Sequence, residues 1–514
     1  MSKWPRKPSF YQINTAVWLK SLSAHYQRPL TLADVPDEVL DEIHDLHADA
    51  VWLMGIWQRS EAARKSALNY THEYRPVLPD LTGDDVIGSA YAIQDYTVDA
   101  SLGGRDALAE LRRRLKKRGL RLILDFVPNH VATDNAWVTQ QPHFMIQGDA
   151  QTLKKHPGIF FKAGDEHNPL IIAHGRDPYF PAWIDTAQLN AFSPEQRAAA
   201  RDTLLDIASQ CDGVRCDMAM LMVNRIFAQT WGAYINIPEP QAEYWDEVIP
   251  PVRDAYPDFL FMAEVYWNME HELQQLGFDY TYDKTLYDRL LEGDTSRVRE
   301  HLQAAVGYQQ RMVRFIENHD EARAAASAGV EKSRALATVV CTLPGAVLIH
   351  DGQLVGRVAK LPVQISRQPQ EPPHRALENF YRRLLAEADD TLYQDGHWQL
   401  FDVTPAYEDG INTHNNLLAY GWEDGGEYRL VVANITPVWS QGTVRLDNWK
   451  KLNRRHWQLF DVLNGNCAYR SGSRVLADGL YVECEPFQSF IYRFERVKKT
   501  RTAEYVRRVN GFQV

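Results

Sequence analysis

The 514-residue sequence has no apolar run of the roughly 18 residues a membrane-crossing helix needs, so no membrane span is expected. Cysteine is scarce: Cys211, Cys216, Cys341, Cys467 and Cys484 are five in number and lack metal-ligand spacing. That excludes a disulfide framework and a thiolate zinc site, and it suits reduced thiols in a cytoplasm. Positive charge is in deficit, with 56 Lys and Arg against 67 Asp and Glu, a net charge of −11. A chain-wide basic footprint for nucleic acid is therefore excluded. The short glycine-containing stretch Ser101-Leu102-Gly103-Gly104 fits neither the dinucleotide nor the Walker pattern, so it is no phosphate cradle. The basic start, Met1 to Lys7, runs into Tyr11-Gln12-Ile13-Asn14 and not into an apolar segment, and no signal peptide is expected. Internal repeats and low-complexity tracts are also missing. Aromatic residues, by contrast, are plentiful. With 14 Trp, 24 Tyr and 19 Phe the chain has ample apolar surface to offset its conformational entropy, which excludes disorder.

Short apolar runs alternate with helical patterns over most of the chain. Val51 to Ile56, Leu120 to Val127, Asp212 to Met218, Phe259 to Val265, Val313 to Glu317 and Ala346 to His350 read as strands buried on both faces. Phe10 to Asn14 and a weaker run near Phe278 to Tyr280 bring the count to about eight. Between them lie amphipathic stretches such as Asp106 to Lys117, with Leu108, Leu111 and Leu115 at helical spacing and a stop at Gly119. Eight strands alternating with helices predict a closed (β/α)8 TIM barrel, occupying residues 1–130 and 191–390. The connection at 131–190 breaks the rhythm and is rich in Pro, His, Gly and aromatics, so it is expected to form an inserted domain B after strand 3. After a helix near His374 to Ala388, the runs Leu417 to Tyr420, Tyr428 to Ala433, Gly442 to Leu446 and Ser489 to Phe494 predict a C-terminal antiparallel β-sandwich over 391–498. Residues 499–514 form a basic tail, read as a solvated extension.

In a parallel barrel the C-terminal strand ends meet at one mouth, where chemistry takes place. Four strands here end in ionisable groups. The third delivers Asp125, Asn129 and His130, and Arg215 and Asp217 leave the fourth on one face because alternate residues point the same way. Glu264 ends a further strand, and His319 and Asp320 follow Phe315-Ile316-Glu317-Asn318. A lone acidic residue after a strand is usually a helix cap. Three carboxylates, an arginine and two histidines at matching ends point instead to acetal chemistry, which needs a proton donor and negative charge near an oxocarbenium ion. Arg215 is expected to hold Asp217 ionised, and Glu264, beside Tyr266 and Trp267, to have a raised pKa suited to donating a proton.

These four segments, in this order and at these separations, resemble the signature regions of the α-amylase superfamily (glycoside hydrolase family 13) over about residues 10–390. The resemblance implies that Asp217 is the nucleophile, Glu264 the general acid/base and Asp320 a third carboxylate gripping sugar hydroxyls. It also implies that Arg215 serves the nucleophile, that His130 and His319 bond the sugar at subsite −1, that Tyr91 stacks on it, and that Asp125 supports the site. The family's Lys-His pair after the nucleophile is replaced by Met220 and Leu221, which ligate no hard cation. The usual structural calcium thus loses a ligand although Asn129 remains, and Gln188 stands where aspartate is common. No cofactor is expected. Met218 and Met220 either pack between strand and helix or line an apolar acceptor side. Arg367, in the proline-rich segment 361–373, is read as a solvated arginine, with a charged substrate group as its alternative partner. His44 and His47 carry no metal motif and read as solvated. The function implied is a retaining α-glycosidase-type enzyme acting on an α-glucoside or α-glucan through a glycosyl-aspartate. Transfer to a sugar hydroxyl is the alternative, and a catalytically silent carbohydrate-binding protein a third reading. Oligomeric state is open.

Overall fold

The computed structural model describes residues 3–165, 167–407 and 412–497. The basic tail lies outside the described residues. Eight parallel strands close into a barrel: β1 (Ser9–Asn14), β2 (Ala50–Met54), β3 (Arg121–Phe126), β4 (Gly213–Cys216), β5 (Leu260–Ala263), β6 (Tyr280–Tyr282), β7 (Met312–Arg314) and β8 (Ala346–His350). Nearly every residue of these strands is buried, which is why they read as unbroken apolar runs and not as alternating ones. Among the buried polar residues in those runs, Gln12, Asp125 and Arg215 belong to the functional end.

Helices cover the barrel. The basic helix α1 (Gly104–Lys117) buries Leu108, Leu111 and Leu115 and turns its arginines outward. It starts two residues earlier than its apolar spacing suggests, because Gly103 adopts a left-handed conformation (φ 99°) that turns the chain into it. The register fixes the height of the strand ends. Arg215 pairs with Asp125 on one side and Met262 on the other, and Cys216 pairs with Ala263. Asp217 and Glu264 therefore leave adjacent strands at the same level.

The insertion after β3 carries its own elements. His130–Ala132 pairs with Thr186–Gln188, and a small antiparallel sheet joins Gln147–Gly148, Leu170–Ala173 and Phe160–Ala163. Val131, Phe144, Met145, Ile172 and Leu189 form a separate core beneath them. His130, at the start of this segment, is thereby fixed from both sides.

The C-terminal region contains a six-stranded antiparallel sheet and a three-stranded one. The larger sheet includes β9 (Leu417–Asp424), β10 (Glu427–Asn434) and β11 (Ser489–Arg496). Both of its faces are covered. Leu417, Ala419, Leu430 and Val432 face the sandwich core with Trp449 and Trp457, whereas Leu418, Tyr420, Val431 and Ala433 join the barrel core. Shorter strands such as His456–Asp461 and Leu480–Cys484 complete the sandwich, and they escape a reading by apolar runs because their outward residues are polar. The junction is also polar in part. Glu387, on the helix Arg375–Ala388, accepts from Arg429 Nε and Arg493 Nη2 at 2.6 Å each, and Tyr420 and Trp422 bond Thr342.

Candidate active site

The site is built around one buried arginine. Arg215 is fully buried, its guanidinium packed between the rings of Trp52, Tyr91 and Tyr282. Nη1 lies 2.6 Å from Asp217 Oδ1 and 3.5 Å from Asp125 Oδ1. Nη2 lies 2.7 Å from Glu264 Oε2 and 3.9 Å from Asp320 Oδ2. Four carboxylates from four strand ends thus converge on one cation, and the aromatic walls keep water from competing with it.

The four differ in surroundings. Asp125 is buried below the others, and loss of hydration raises its pKa. Asp217 is also raised by burial, a shift that Arg215 opposes through its charge and its hydrogen bond. Arg215 was expected to hold Asp217 ionised; it does favour that form, but burial is the larger effect and the net shift is upward. Glu264 is pushed up to about 7, mainly by burial and then by the charges of Asp217 and Asp320, against the pull of Arg215. Asp320 goes the other way. Its side chain is 41% exposed at the open mouth, and the neighbouring His319 and Arg215 hold it below the usual carboxylate range.

His319 is clamped. Gln12 Nε2 lies 2.6 Å from Nδ1, which directs Nε2 to Tyr91 Oη at 2.6 Å and Asp320 Oδ2 at 3.0 Å. The Tyr91 and His319 rings stack at 5.3 Å. His130 is buried, with its pKa lowered to about 4 by desolvation, so it is a neutral ring at ordinary pH. Its ring lies 5.1 Å from that of Trp183. Gly175 makes this approach possible: a Cβ there would fall 2.7 Å from Thr186 Oγ1 and 2.9 Å from His130 Cβ. The structure gathers Arg215, Asp125, Asp217, Glu264, Asp320, His319 and Tyr91 into one cluster, and places His130 at its rim on the inserted segment.

Several contacts were not foreseen, although Tyr266 and Met218 stand out in the sequence. Gln12 shows itself only as a polar residue inside a buried strand. Tyr266 donates its hydroxyl to Glu264 Oε1 at 2.7 Å, and the Met218 N–H donates to Glu264 Oε2 at 2.7 Å. Lys360 Nζ donates to the backbone oxygen of Asp320. Met218, Trp267 and Asn268 have φ of 44°, 66° and 58°. Left-handed backbone at non-glycine residues costs on the order of 1 kcal/mol each and persists where the surroundings impose it. Met220 is wholly buried and so packs, while Met218 is partly buried at the mouth. Arg367 is 30% exposed, as a solvated arginine would be, but it is not free: it is tied to Asp80 and Asp85, and Lys20 also pairs with Asp85. His47 is likewise paired, with Asp389 at 2.9 Å.

The residues around Asn129 and Gln188 do not suit a cation. Gln188 Nε2 donates to Asn129 O and Asn129 Oδ1 at 2.9 Å and to Leu189 O at 3.0 Å, all within the protein interior. An amide NH2 sits at the centre of the oxygen set that a hard cation would need, and no carboxylate joins it. Among the described residues, no group of three or more His, Cys, Asp or Glu side chains is arranged to hold a metal.

Comparison with known proteins bears on this geometry. The family model for the α-amylase catalytic domain matches residues 37–169. The chain is thus similar to α-amylase catalytic domains over that stretch, about a quarter of its length. An α-amylase of Haloarcula japonica is 24% identical over 335 residues, covering 63% of this chain and 41% of that protein. The intracellular maltogenic amylase of Bacillus subtilis is 24% identical, covering 61% of this chain and 52% of that one. The chain thus spans only about half the length of such relatives. Among solved structures, a maltogenic α-amylase from Thermotoga neapolitana superposes with a TM-score of 0.66 at 17% identity, over 95% of this chain and 99% of that one. An α-amylase from Lactobacillus plantarum gives 0.66 at 20% identity, over 95% and 99%. At such identities the superposition shows the fold alone, a barrel with an insertion and a C-terminal sandwich.

Proposed function

We propose that this chain hydrolyses α-glucosidic bonds of oligosaccharides or α-glucans with retention of anomeric configuration. The observation that carries the reading is the clasping of Asp217 and Glu264 by two nitrogens of the same guanidinium, with Asp320 on the open side. Such closeness suits double displacement, whose carboxyl groups lie about 5–5.5 Å apart, better than inversion, which leaves room for a water between them. Glu264, protonated below about pH 7, gives its proton to the glycosidic oxygen. Asp217, held by Arg215, attacks the anomeric carbon to form a glycosyl ester. Glu264, now a carboxylate, takes a proton from a water whose oxygen attacks the anomeric carbon, the bond to Asp217 breaks, and the sugar leaves with its original configuration. Asp320, His319 and His130 bond the sugar hydroxyls, Tyr91 faces the ring, and Asp125 supports Arg215 from below. The α-amylase and maltogenic amylase relatives support α-glucose as the substrate sugar.

Transfer to a sugar hydroxyl is the second reading, and the exposed aromatics at the mouth favour it. Tyr179 and Phe180 are 61% and 67% exposed, and Tyr179 meets the Trp267 ring at 5.0 Å. Asp177 fixes this tip by accepting from both backbone N–H groups. Exposed rings bordering a cleft stack on an acceptor sugar and hold it against water. The cytoplasm is the proposed location, supported by five unpaired cysteines, four of them buried; among the described residues, no helix is long and apolar enough to cross a membrane.

The test is incubation with maltooligosaccharides, sucrose and trehalose, with and without added acceptor, followed by product analysis and NMR of the first anomer released. An α-anomer, and loss of turnover in a folded Asp217→Asn variant, are expected. A β-anomer would refute retention, and an Asp217→Asn variant as active as the parent would refute the nucleophile.

A further inference from the structure

The two oxygens of Glu264 have different company. Oε2 accepts two hydrogen bonds, from Arg215 Nη2 and from the Met218 N–H, both at 2.7 Å. Oε1 meets the Tyr266 hydroxyl, also at 2.7 Å. A proton on Oε2 would have to displace a guanidinium or a backbone donor, so it resides on Oε1. Oε1 is thus the atom that faces a leaving-group oxygen, and Tyr266 is the side chain that touches it.

The backbone around this contact is built for it. Met218 takes φ 44° immediately after Asp217, which brings its N–H to Oε2. Trp267 and Asn268, at φ 66° and 58°, turn the chain directly after Tyr266. For tryptophan this is a true outlier, and its ring meets that of Tyr179 at 5.0 Å. Tyr266 stands two residues beyond Glu264, and its hydroxyl reaches back to Oε1.

We propose that Tyr266 is a positioning residue for proton transfer: its hydroxyl fixes Glu264 Oε1 toward the glycosidic oxygen and, by donating to the carboxylate, sets the pH range in which Oε1 carries the proton. This rests on the proposed acid/base role of Glu264. The groups facing Glu264 are Arg215 and Asp217 from the β4 end, Tyr282 from β6, and Asp320 from beyond β7. Burial and the two aspartates favour the protonated form, and Arg215, Met218 N–H and Tyr266 favour the carboxylate. Removing the Tyr266 donor tilts the balance toward protonation.

The sign is therefore fixed. In Tyr266→Phe the alkaline limb of kcat/KM moves up by about one pH unit, the worth of a neutral donor to a charged acceptor. With maltotriose as substrate, kcat falls about tenfold while KM changes little, because ground-state binding does not need the hydroxyl. Replacing Tyr266 with 3-fluorotyrosine, a stronger donor, moves the limb down. A carbon-13 NMR titration of the Glu264 carboxyl, assigned by its loss in Glu264→Gln, follows the same shifts without turnover. Shifts of opposite sign in the two variants support the proposal. A Glu264 titration unmoved in Tyr266→Phe, or moved down, overturns it. Full activity of Glu264→Gln on maltotriose is a different result: it overturns the acid/base assignment itself.

Discussion

Replacing Glu264 with glutamine should make the protein more stable as well as inactive, and the gain should depend on pH. Glu264 is 3% exposed, and its pKa stands at about 7 against an ordinary 4.5. The folded chain binds that proton more tightly than the unfolded chain does. Stability therefore falls as pH rises from 4.5 through about 7, and the full cost is present above that range. A shift of this size corresponds to a cost on the order of 3 kcal/mol. Glutamine removes the charge and fits the contacts: its oxygen can accept from Met218 N–H and Arg215, and its NH2 can donate to the Tyr266 hydroxyl. Arg215 keeps Asp217, Asp125 and Asp320 as counter-charges. Thermal unfolding, followed by the fluorescence of the 14 tryptophans, compares parent and variant near pH 5 and near pH 8. The variant should gain little at the lower pH and several degrees at the higher. An equal difference at both would refute the claim that Glu264 is a destabilised charge.

In the parent, kcat/KM should decline above a pH of about 7, as Glu264 loses its proton, and a limb below pH 5.5 would count against Glu264 as the acid. Glu387→Ala should destabilise the chain by about 3 kcal/mol, because Arg493 loses its carboxylate partner and Arg429 keeps only Asp390. Denaturant unfolding would show it, and an unchanged midpoint would refute the pairing. Treatment with a calcium chelator should leave the melting temperature unchanged, whereas Gln188→Leu should lower it by stranding the buried oxygens of Asn129; chelator sensitivity of the parent would overturn the assignment of Gln188 as the link in that place.

The barrel strands were legible because strands buried on both faces leave continuous apolar runs, and the register then follows from packing them into a closed cylinder. The acidic strand ends were legible for the same reason: Asp125, Asp217 and Glu264 interrupt or end such runs, where a charge has no structural excuse. The sequence alone could not show that Asp217, Glu264 and Asp320 share one guanidinium, since that depends on the relative height of neighbouring strands. Nor could it show that Arg367 is bound to Asp80 and Asp85, or that the Gln188 amide fills an oxygen cage, because these partners lie far apart along the chain. Tyr266 illustrates the division. Its position two residues from Glu264 is a fact of sequence, but its contact with Oε1 is seen only in the fold, just before left-handed backbone at Trp267 and Asn268. Periodicity and residue type are local and survive in a string of letters, whereas distances, burial and the protonation they control arise only when remote segments exclude water together.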